Sequence, residues 1–310
     1  MSRGATGHRA RDGIAAAGAP WYPASVADAD CVPIADDLAP GDRRAEGFDW
    51  SPLRLRRVAA ADDPDFAAGY GRLWAEFGDR GEMERRAVIE DRLGWDPRRP
   101  IGGAALLYEM LVVRRAGALA AVRDHTAIVR VDATGRAQPG PTVVHLSHVL
   151  VEPAYRGSGL AGWLRALPLQ AARRCAAAAG QAPGAPIVLV AEMEHPDPRD
   201  PATMVRLGAY ERAGFRKVDP EAAPYAQPDF RLPALLAGVT PVALPLALIV
   251  RRVGREREEA MAASELAAVV DALHAVYRPH VAANALAPLA AAARAWLASR
   301  DGFRLLPPTG

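Results

Sequence analysis

An apolar run that leads through a short glycine-rich turn into a helical segment is the feature that most constrains the fold of this chain. The run ends at Val151, the turn contains Gly157 and Gly159, and the helical segment begins at Leu160. Free backbone N–H groups converge at the positive end of such a helix, so the arrangement favours a bound phosphate or pyrophosphate. It has neither the G-x-G-x-x-G spacing nor the Gly-Lys-Ser/Thr of a P-loop. An ordinary strand–turn–helix is the alternative interpretation.

The hydrophobic patterns on either side of this segment predict an α/β domain. A strand at residues 53–58 is followed by two helices, at 65–77 and 83–93, whose apolar side chains recur at helical spacing. Three extended runs then predict an antiparallel meander: 105–114, 118–131 and 142–151. Beyond the turn, helices and strands are predicted to alternate: a helix at 160–179, a strand at 187–192, a helix at 202–213 and strands near 215–218 and 243–253.

Composition divides the chain into three parts. Residues 1–48 are rich in Ala, Gly, Pro and Asp without a sustained period, which predicts a mobile tail. Residues 49–254 contain the α/β pattern. Residues 255–310 predict a helical C-terminal extension, with two Ala-rich helices divided near Pro279. The apolar face of the first helix can pack on its own sheet or on a second subunit, which leaves a homodimer open.

Charge and cysteine content exclude several classes of protein. The 38 basic and 36 acidic residues give a net charge of +2, too small a field to hold nucleic acid or an anionic membrane surface. The two cysteines, Cys31 and Cys175, occur in neither a C-x-x-C nor a Cys/His metal spacing. The start of the chain lacks the apolar core of a secretory signal. We therefore expect a cytoplasmic protein with no metal and no nucleic-acid partner.

One uncharged stretch, residues 232–250, has the length of a membrane span and is followed by two arginines. Pro233, Pro241 and Pro245 interrupt it, and each would remove a helical hydrogen bond that lipid does not replace. A loop followed by a buried strand fits better. We therefore expect no membrane association.

The glycine-rich turn resembles motif A of the GNAT superfamily of acyl-CoA N-acyltransferases, whose pattern is Arg/Gln-x-x-Gly-x-Gly/Ala. The resemblance implies acetyl-CoA as the acyl donor and a GNAT-like sheet, mixed and mostly antiparallel, flanked by helices. It also implies that loop amides hold the coenzyme A pyrophosphate, and that the preceding strand pairs by backbone with the pantetheine arm. The matching loop residues are Arg156, Gly157, Ser158, Gly159, Leu160 and Ala161, and the strand residues are Val149, Leu150 and Val151.

A second segment, Tyr-Glu-Arg-Ala-Gly-Phe at residues 210–215, resembles the Tyr-x-x-x-Gly-Phe of motif B. The predicted order of elements also agrees with the superfamily over about residues 50–253, two-thirds of the chain. One departure is that the family often carries Asn a turn or two before the tyrosine. This chain has Thr203, Met204 and Val205 there.

Acyl transfer from a thioester to an amine needs a base for the amine and an acid for the departing thiolate. The resemblance implies His145 as the base and Tyr210 as the acid, with Glu192 as an alternative base or a ligand for a cationic amine. Strict alternation along the strand predicts that His145 shares a face with Ser147, Val149 and Val151, with His148 on the opposite face. The structural alternatives are a hydrogen-bonded strand histidine, a packed tyrosine and a solvated carboxylate.

The sequence therefore predicts an N-acetyltransferase that moves acetyl directly from acetyl-CoA to a primary amine in a ternary complex. The acceptor, a small-molecule or peptide amine, is not identified by the sequence. A covalent intermediate is not expected, because Cys175 lies in the helix after the loop. The alternative is a non-catalytic acyl-CoA-binding sensor or scaffold of the same fold.

Overall fold

A computed structural model describes residues 34–230, 238 and 240–310. Two short 3₁₀ helices, Ala35–Asp37 and Pro40–Gly47, come first, and a third, Pro153–Tyr155, precedes the glycine-rich turn. The strands are β1 Leu53–Arg57, β2 Ala104–Arg115, β3 Ala118–Arg130, β4 Thr142–Val151, β5 Ile187–Met193, β6 Arg216–Val218, β7 Ala226–Gln227, β8 Leu244–Pro245, β9 Ala247–Arg252, β10 Ala260–Ala262 and β11 Gly302–Leu306. The helices are α1 Pro64–Phe77, α2 Arg86–Leu93, α3 Leu160–Ala166, α4 Pro168–Ala178, α5 Pro201–Arg212, α6 Ala263–Tyr277 and α7 Ala283–Ala298.

Nine strands form one sheet in the order β1-β2-β3-β4-β5-β9-β6-β11-β10. Neighbouring strands in it are antiparallel except β4 and β5, which are parallel. The predicted fold class, a mixed and mostly antiparallel sheet flanked by helices, is confirmed. The order of elements that the GNAT resemblance implies, from the first strand through the meander to the alternating helices, is present in the structure.

Helices cover both faces of the sheet because its strands are apolar on both sides. On one face, Phe66 of α1, Ile89 of α2 and Leu273 of α6 belong to a single buried cluster. On the other, α3 packs over the β1–β3 half, and α4 and α5 pack over the centre. The single helix predicted at 160–179 is two helices, because Pro168 has no N–H to continue the hydrogen-bond ladder.

A β-bulge in β4 changes which side chains share a face. His145 is opposite Thr126 of β3, whereas His148 is opposite Asp124, so three steps along β4 match two along β3. The prediction that alternation separates His145 from His148 is therefore wrong. Both side chains point to the same cavity.

Residues 255–310 are not the purely helical extension that the sequence predicts. The short strands β10 and β11 extend the main sheet beyond β6, and α6 packs on the sheet with α1 in one core cluster. These strands have three and five residues, too few for a clear alternation of polar and apolar side chains. The C-terminal part thus belongs to the body of the domain.

Residues 34–48, which we call the strap, also differ from the prediction of a mobile tail. Leu38, Ala39 and Ala45 are buried in the cores beneath α3, α4 and α5. Asp42 and Asp37 of the strap form ion pairs with Arg165 of α3 and Arg173 of α4. The rest of the predicted tail, residues 1–33, lies outside the described residues.

Part of the uncharged stretch at 232–250 also lies outside the described residues, namely 232–237 and 239. Its last residues form β9, a buried central strand, close to the strand predicted there. Within the described part of the chain, no helix is both long and apolar enough to cross a membrane.

Candidate functional site

The central strands β4 and β5 separate after a short parallel ladder. Their pairing runs from Thr142 opposite Ile187 to His145 opposite Val190, although both strands continue further. The gap opens into a cavity of about 720 Å³, counted with its mouth. The cavity is bounded by β4 and β5, by α1 and α6 on one face of the sheet, and by α5 on the other. It therefore connects the two faces.

A buried histidine–carboxylate pair lies where the ladder ends. Nε2 of His145 is 3.0 Å from Oε2 of Glu192, and both side chains are about 95% buried. The Glu192 carboxylate also accepts a hydrogen bond from the Tyr225 hydroxyl at 2.6 Å and another from the Tyr277 hydroxyl. Burial alone would raise the pKa of Glu192, but the hydrogen bonds from His145 and the tyrosines outweigh it and lower that pKa.

The two tyrosines are fixed donors to this carboxylate. Burial, together with the negative charge of Glu192, raises the pKa of Tyr225 and of Tyr277 well above the usual range, so both hydroxyls keep their protons. Glu192 accepts three hydrogen bonds and has little capacity left to take a proton itself. Glu192 therefore orients His145.

The second ring nitrogen of His145 faces the cavity. Because a carboxylate only accepts hydrogen bonds, we assign the proton of a neutral imidazole to Nε2, beside Glu192. This leaves the lone pair on Nδ1, which lies 3.5 Å from the hydroxyl of Ser147. Ser147 lines the cavity as well. A substrate group in the cavity can thus reach Nδ1 directly or through Ser147.

His148 forms a different pair, with Asp124. Its Nδ1 lies 2.9 Å from Oδ1 of Asp124, and its Nε2 donates to the carbonyl of Glu82 at 3.1 Å. Burial lowers the pKa of this histidine, but the carboxylate of Asp124 outweighs burial and raises the pKa to about 9. Both ring nitrogens therefore act as donors at neutral pH. His148 supplies fixed positive charge and is no base.

Tyr210 reaches the cavity from the opposite face of the sheet. It lies in the last turn of α5, and its ring meets Phe215 edge-on with centroids 4.9 Å apart. The guanidinium of Arg165 lies 5.9 Å from its ring centroid. The cavity thus brings together all three residues proposed for the chemistry: His145, Glu192 and Tyr210.

The glycine-rich loop presents backbone amides to solvent. Gly157 and Gly159 have φ values of 75° and 108°, and residues 156–158 are exposed. Within the residues that the structure describes, the amides of Gly157, Gly159 and Ala161 have no hydrogen-bond acceptor. Amides arranged in this way fit a phosphate group.

The end of β4 turns alternate amides toward the gap. The amides of His148 and Glu152 bond to β3, so those of Val149 and Val151 point away from β3. Leu150, the third strand residue predicted to pair with pantetheine, turns its amide to β3. The valine side chains pack with α3, so the prediction that they share the face of His145 is wrong.

The glycine-rich loop lies outside the lining of the cavity. None of the loop residues 156–161 lines the cavity, whereas Val149 does. Sequence reasoning missed the two donors to Glu192. Tyr225 lies just before the two-residue strand β7, and Tyr277 ends a helix 85 residues beyond Glu192, so neither has a periodic signal of its own. The strap beside the loop was missed as well.

The single thiol that the structure describes is remote from this chemistry. Burial raises the pKa of Cys175 to about 12, and its sulfur lies 3.5 Å from the carbonyl oxygens of Ala105 and Ala127. In the described part of the chain, no group of three or more His, Cys, Asp or Glu side chains could hold a metal ion.

Comparison with known proteins finds similarity in solved structures alone. No family model matches the chain, and no curated protein matches it. A tandem GNAT protein from the clavulanic acid biosynthesis pathway is 22% identical over 56% of this chain and 46% of its own, with a TM-score of 0.34. This chain thus spans less than half the length of that protein.

Two further similar structures were determined with acetyl-CoA. The putative acetyltransferase yncA from Salmonella typhimurium is 20% identical over 67% of this chain and 98% of its own, with a TM-score of 0.35. A GNAT family acetyltransferase from Elizabethkingia anophelis is 10% identical over 65% of this chain and 99% of its own, with a TM-score of 0.32.

Proposed function

We propose that this chain, which has the GNAT-type fold, is an acetyltransferase that moves acetyl from acetyl-CoA directly to a primary amine. One observation carries the proposal. The gap between β4 and β5 opens into a cavity with the His145–Glu192 pair joining the two strands and Tyr210 on the other side of the sheet. A base and an acid thus face one space.

The donor would be held by backbone groups. The free amides of Gly157, Gly159 and Ala161 suit its pyrophosphate, and those of Val149 and Val151 suit the amide groups of its pantetheine arm. When bound, acetyl-CoA supplies the thioester carbonyl carbon that the amine attacks. Arg156 has its Nε on the carbonyl of Val151, which fixes the start of the loop against the strand.

Proton transfer falls to side chains on the two sides of the cavity. His145 takes a proton from the amine on Nδ1, directly or through Ser147, and Glu192 stabilises the resulting imidazolium. Tyr210 gives its proton to the departing thiolate. A positioned base of this kind is worth about 10²–10⁴ in rate.

The acceptor side of the cavity suits a cationic amine with an apolar body. Glu82 and Glu194 are carboxylates on its wall, and Phe77 and Phe230 provide aromatic surface. Burial and the nearby charge of Glu194 raise the pKa of Glu82. Glu194 is paired with Arg206 at 2.5 Å, so a bound ammonium group has Glu82 as its counter-ion. A small-molecule or peptide primary amine has the required chemistry.

The proposal is tested by thermal unfolding with saturating acetyl-CoA, followed by thiol release in the presence of ethanolamine, putrescine, phenethylamine and a lysine peptide. A ligand at about 100 times its dissociation constant stabilises the fold by roughly 2.7 kcal/mol. His145→Ala and Tyr210→Phe should abolish thiol release but keep the acetyl-CoA shift. The control is His195→Ala, at an exposed position just past β5.

Two results would redirect the assignment. Binding without thiol release for any amine would favour the alternative of a non-catalytic acyl-CoA-binding sensor or scaffold. The absence of a shift with acetyl-CoA would leave the loop as a structural turn and refute the proposed donor.

A further inference from the structure

The strap, residues 34–48, packs tightly against the helices on both sides of the proposed donor route. A Cβ on Gly41 would lie 1.7 Å from the carbonyl oxygen of Arg212 at the end of α5, so no side chain fits there. On the other side, the indole N–H of Trp163 in α3 donates to the carbonyl of Ala45 at 2.9 Å. The strap thus bridges α3 and α5.

The strap also covers the helix that follows the glycine-rich loop. A Cβ on Gly159 would lie 3.1 Å from the Cα of Ala45, and a Cβ on Gly162 would lie 3.1 Å from the Cβ of Asp42. The loop residues 156–158 stay exposed, whereas Gly162 is buried. The amides of the loop are therefore accessible, but the side of α3 that leads from the loop toward Tyr210 is occupied.

Two carboxylates of the strap hold two arginines of the same helical layer. Asp42 accepts from Nε of Arg165 at 2.9 Å and from its Nη2 at 2.5 Å. Asp37 accepts from both terminal nitrogens, Nη1 and Nη2, of Arg173. Both carboxylates are more than 90% buried. The guanidinium fork binds phosphate in the same bidentate manner as carboxylate.

We propose that the strap is an internal occupant of the donor groove, and that acyl-CoA binds by displacing it. The proposal rests on the donor site proposed above. The route from the loop amides to Tyr210 passes Gly159, Gly162 and Arg165, and the strap covers all three. On displacement, Asp42 and Asp37 release Arg165 and Arg173, and polar groups of the donor take their place.

Such an occupant lowers the apparent affinity for the donor. The measured dissociation constant is the intrinsic one divided by the fraction of molecules in which the strap has left the groove. A substitution that weakens the strap without touching the groove should therefore tighten donor binding. If the strap instead merely supports the groove, the same substitution should weaken donor binding.

Two glycines in the same 3₁₀ helix provide a matched pair for the test. A methyl group on Gly41 collides with Arg212, whereas one on Gly47 has nothing within 4 Å. Acetyl-CoA binding to the full chain is measured by calorimetry for wild type, Gly41→Ala and Gly47→Ala. We expect Gly41→Ala to bind about tenfold tighter than wild type and Gly47→Ala to match wild type.

Two further measurements test the same proposal without relying on Gly41→Ala. Asp42→Asn removes the charge that competes for Arg165 and should also tighten binding, with circular dichroism confirming that the variant folds. In wild type, acetyl-CoA should accelerate tryptic cleavage after Arg43 and Arg44, which are exposed residues of the strap. Free adenine as a control ligand should not accelerate it.

The outcomes separate the two proposals. If wild type binds acetyl-CoA but Gly41→Ala and Asp42→Asn bind it equally or more weakly, the strap is no occupant and the donor site stands. If neither wild type nor the variants bind acetyl-CoA, and trypsin cleavage is unchanged, the donor site and the strap proposal both fail.

Discussion

Nε2 of His145 lies 3.0 Å from a Glu192 carboxylate that is also held by Tyr277, a residue from the last turn of α6. The candidate site is therefore assembled from the centre of the sheet and from the C-terminal part of the chain. Because Tyr277 cannot keep this position unless α6 packs on the sheet, α6 completes the site. Each contact in this cluster gives a measurable expectation.

The charge of Glu192 should matter more than its shape. Glu192→Gln keeps an oxygen that can accept from Nε2 but removes the negative charge that stabilises the imidazolium formed when His145 takes a proton. We expect thiol release to fall about 10²–10⁴-fold, with acetyl-CoA binding within about twofold of wild type. The control is Glu221→Gln, at an exposed position. A rate within threefold of wild type would exclude Glu192 from the reaction.

The hydroxyl of Tyr277 should contribute to stability because its acceptor is charged. Tyr277→Phe removes a donor to the Glu192 carboxylate, and we expect the free energy of unfolding to fall by about 1.5–3 kcal/mol. The matched control is Tyr70→Phe, which loses a 3.4 Å bond to the neutral carbonyl of Glu84 and should cost about 0.5–1.5 kcal/mol. Urea unfolding at pH 7 measures both. Equal losses would contradict an ionised Glu192.

Loss of the Tyr277 donor should also be visible in the pH dependence. The hydrogen bond favours the charged carboxylate, so its removal should raise the pKa of Glu192 and move the acid limb of the pH–rate profile to higher pH. Tyr70→Phe should leave that limb in place. A purely structural role of Tyr277 would lower stability without moving it.

The His148–Asp124 pair predicts how stability varies with pH. Because the folded-state pKa of His148 is raised to about 9, its contribution is complete below about pH 6.5 and is lost as the pH rises through 9. The pKa of Asp124 is lowered despite burial, mainly by the charge of His148, so its contribution is present above about pH 4 and lost in stronger acid. The pair should stabilise the fold most between about pH 4 and 6.5.

Urea unfolding at pH 6.5 and pH 9.5 tests this dependence. Wild type should lose free energy of unfolding on the order of 3 kcal/mol between the two values. His148→Gln should be less stable at pH 6.5, because the charge of Asp124 is then buried without its partner, and should lose less on going to pH 9.5. The same pH slope in both proteins would mean that His148 is not the titrating group.

The sequence could predict those elements that are continuous in the chain. β4, the glycine-rich turn and α5 each carry their own periodicity and turn residues, and the resemblance of two of these segments to motifs A and B then implied roles for His145, Tyr210 and the loop. Glu192 could be proposed as well, at the end of a strand. Alternation alone could not predict on which face of β4 a side chain lies, because the bulge in β4 depends on pairing with β3.

Contacts between distant parts of the chain could not be predicted in this way. The pair of Asp42 with Arg165 joins residues 123 positions apart, and Tyr277 reaches Glu192 across 85 positions. Neither contact leaves a periodic trace, since one charged or aromatic residue in a loop or helix has many possible partners. The strap and the hydrogen bonds to Glu192 therefore emerged only from the three-dimensional arrangement.

Two glycines with similar positive φ values, one inside the glycine-rich loop and one outside it, can test the role of the loop. Gly157 and Gly180, just past α4, have φ values of 75° and 69°, and a Cβ on either would meet nothing within 4 Å. Alanine at either position should therefore cost a similar amount of stability, about 1 kcal/mol. Only Gly157→Ala should weaken acetyl-CoA binding, by about tenfold or more, because the methyl group would stand between the loop amides and a phosphate. Calorimetric titration of both variants decides this, and equal affinities would remove Gly157 from the donor site.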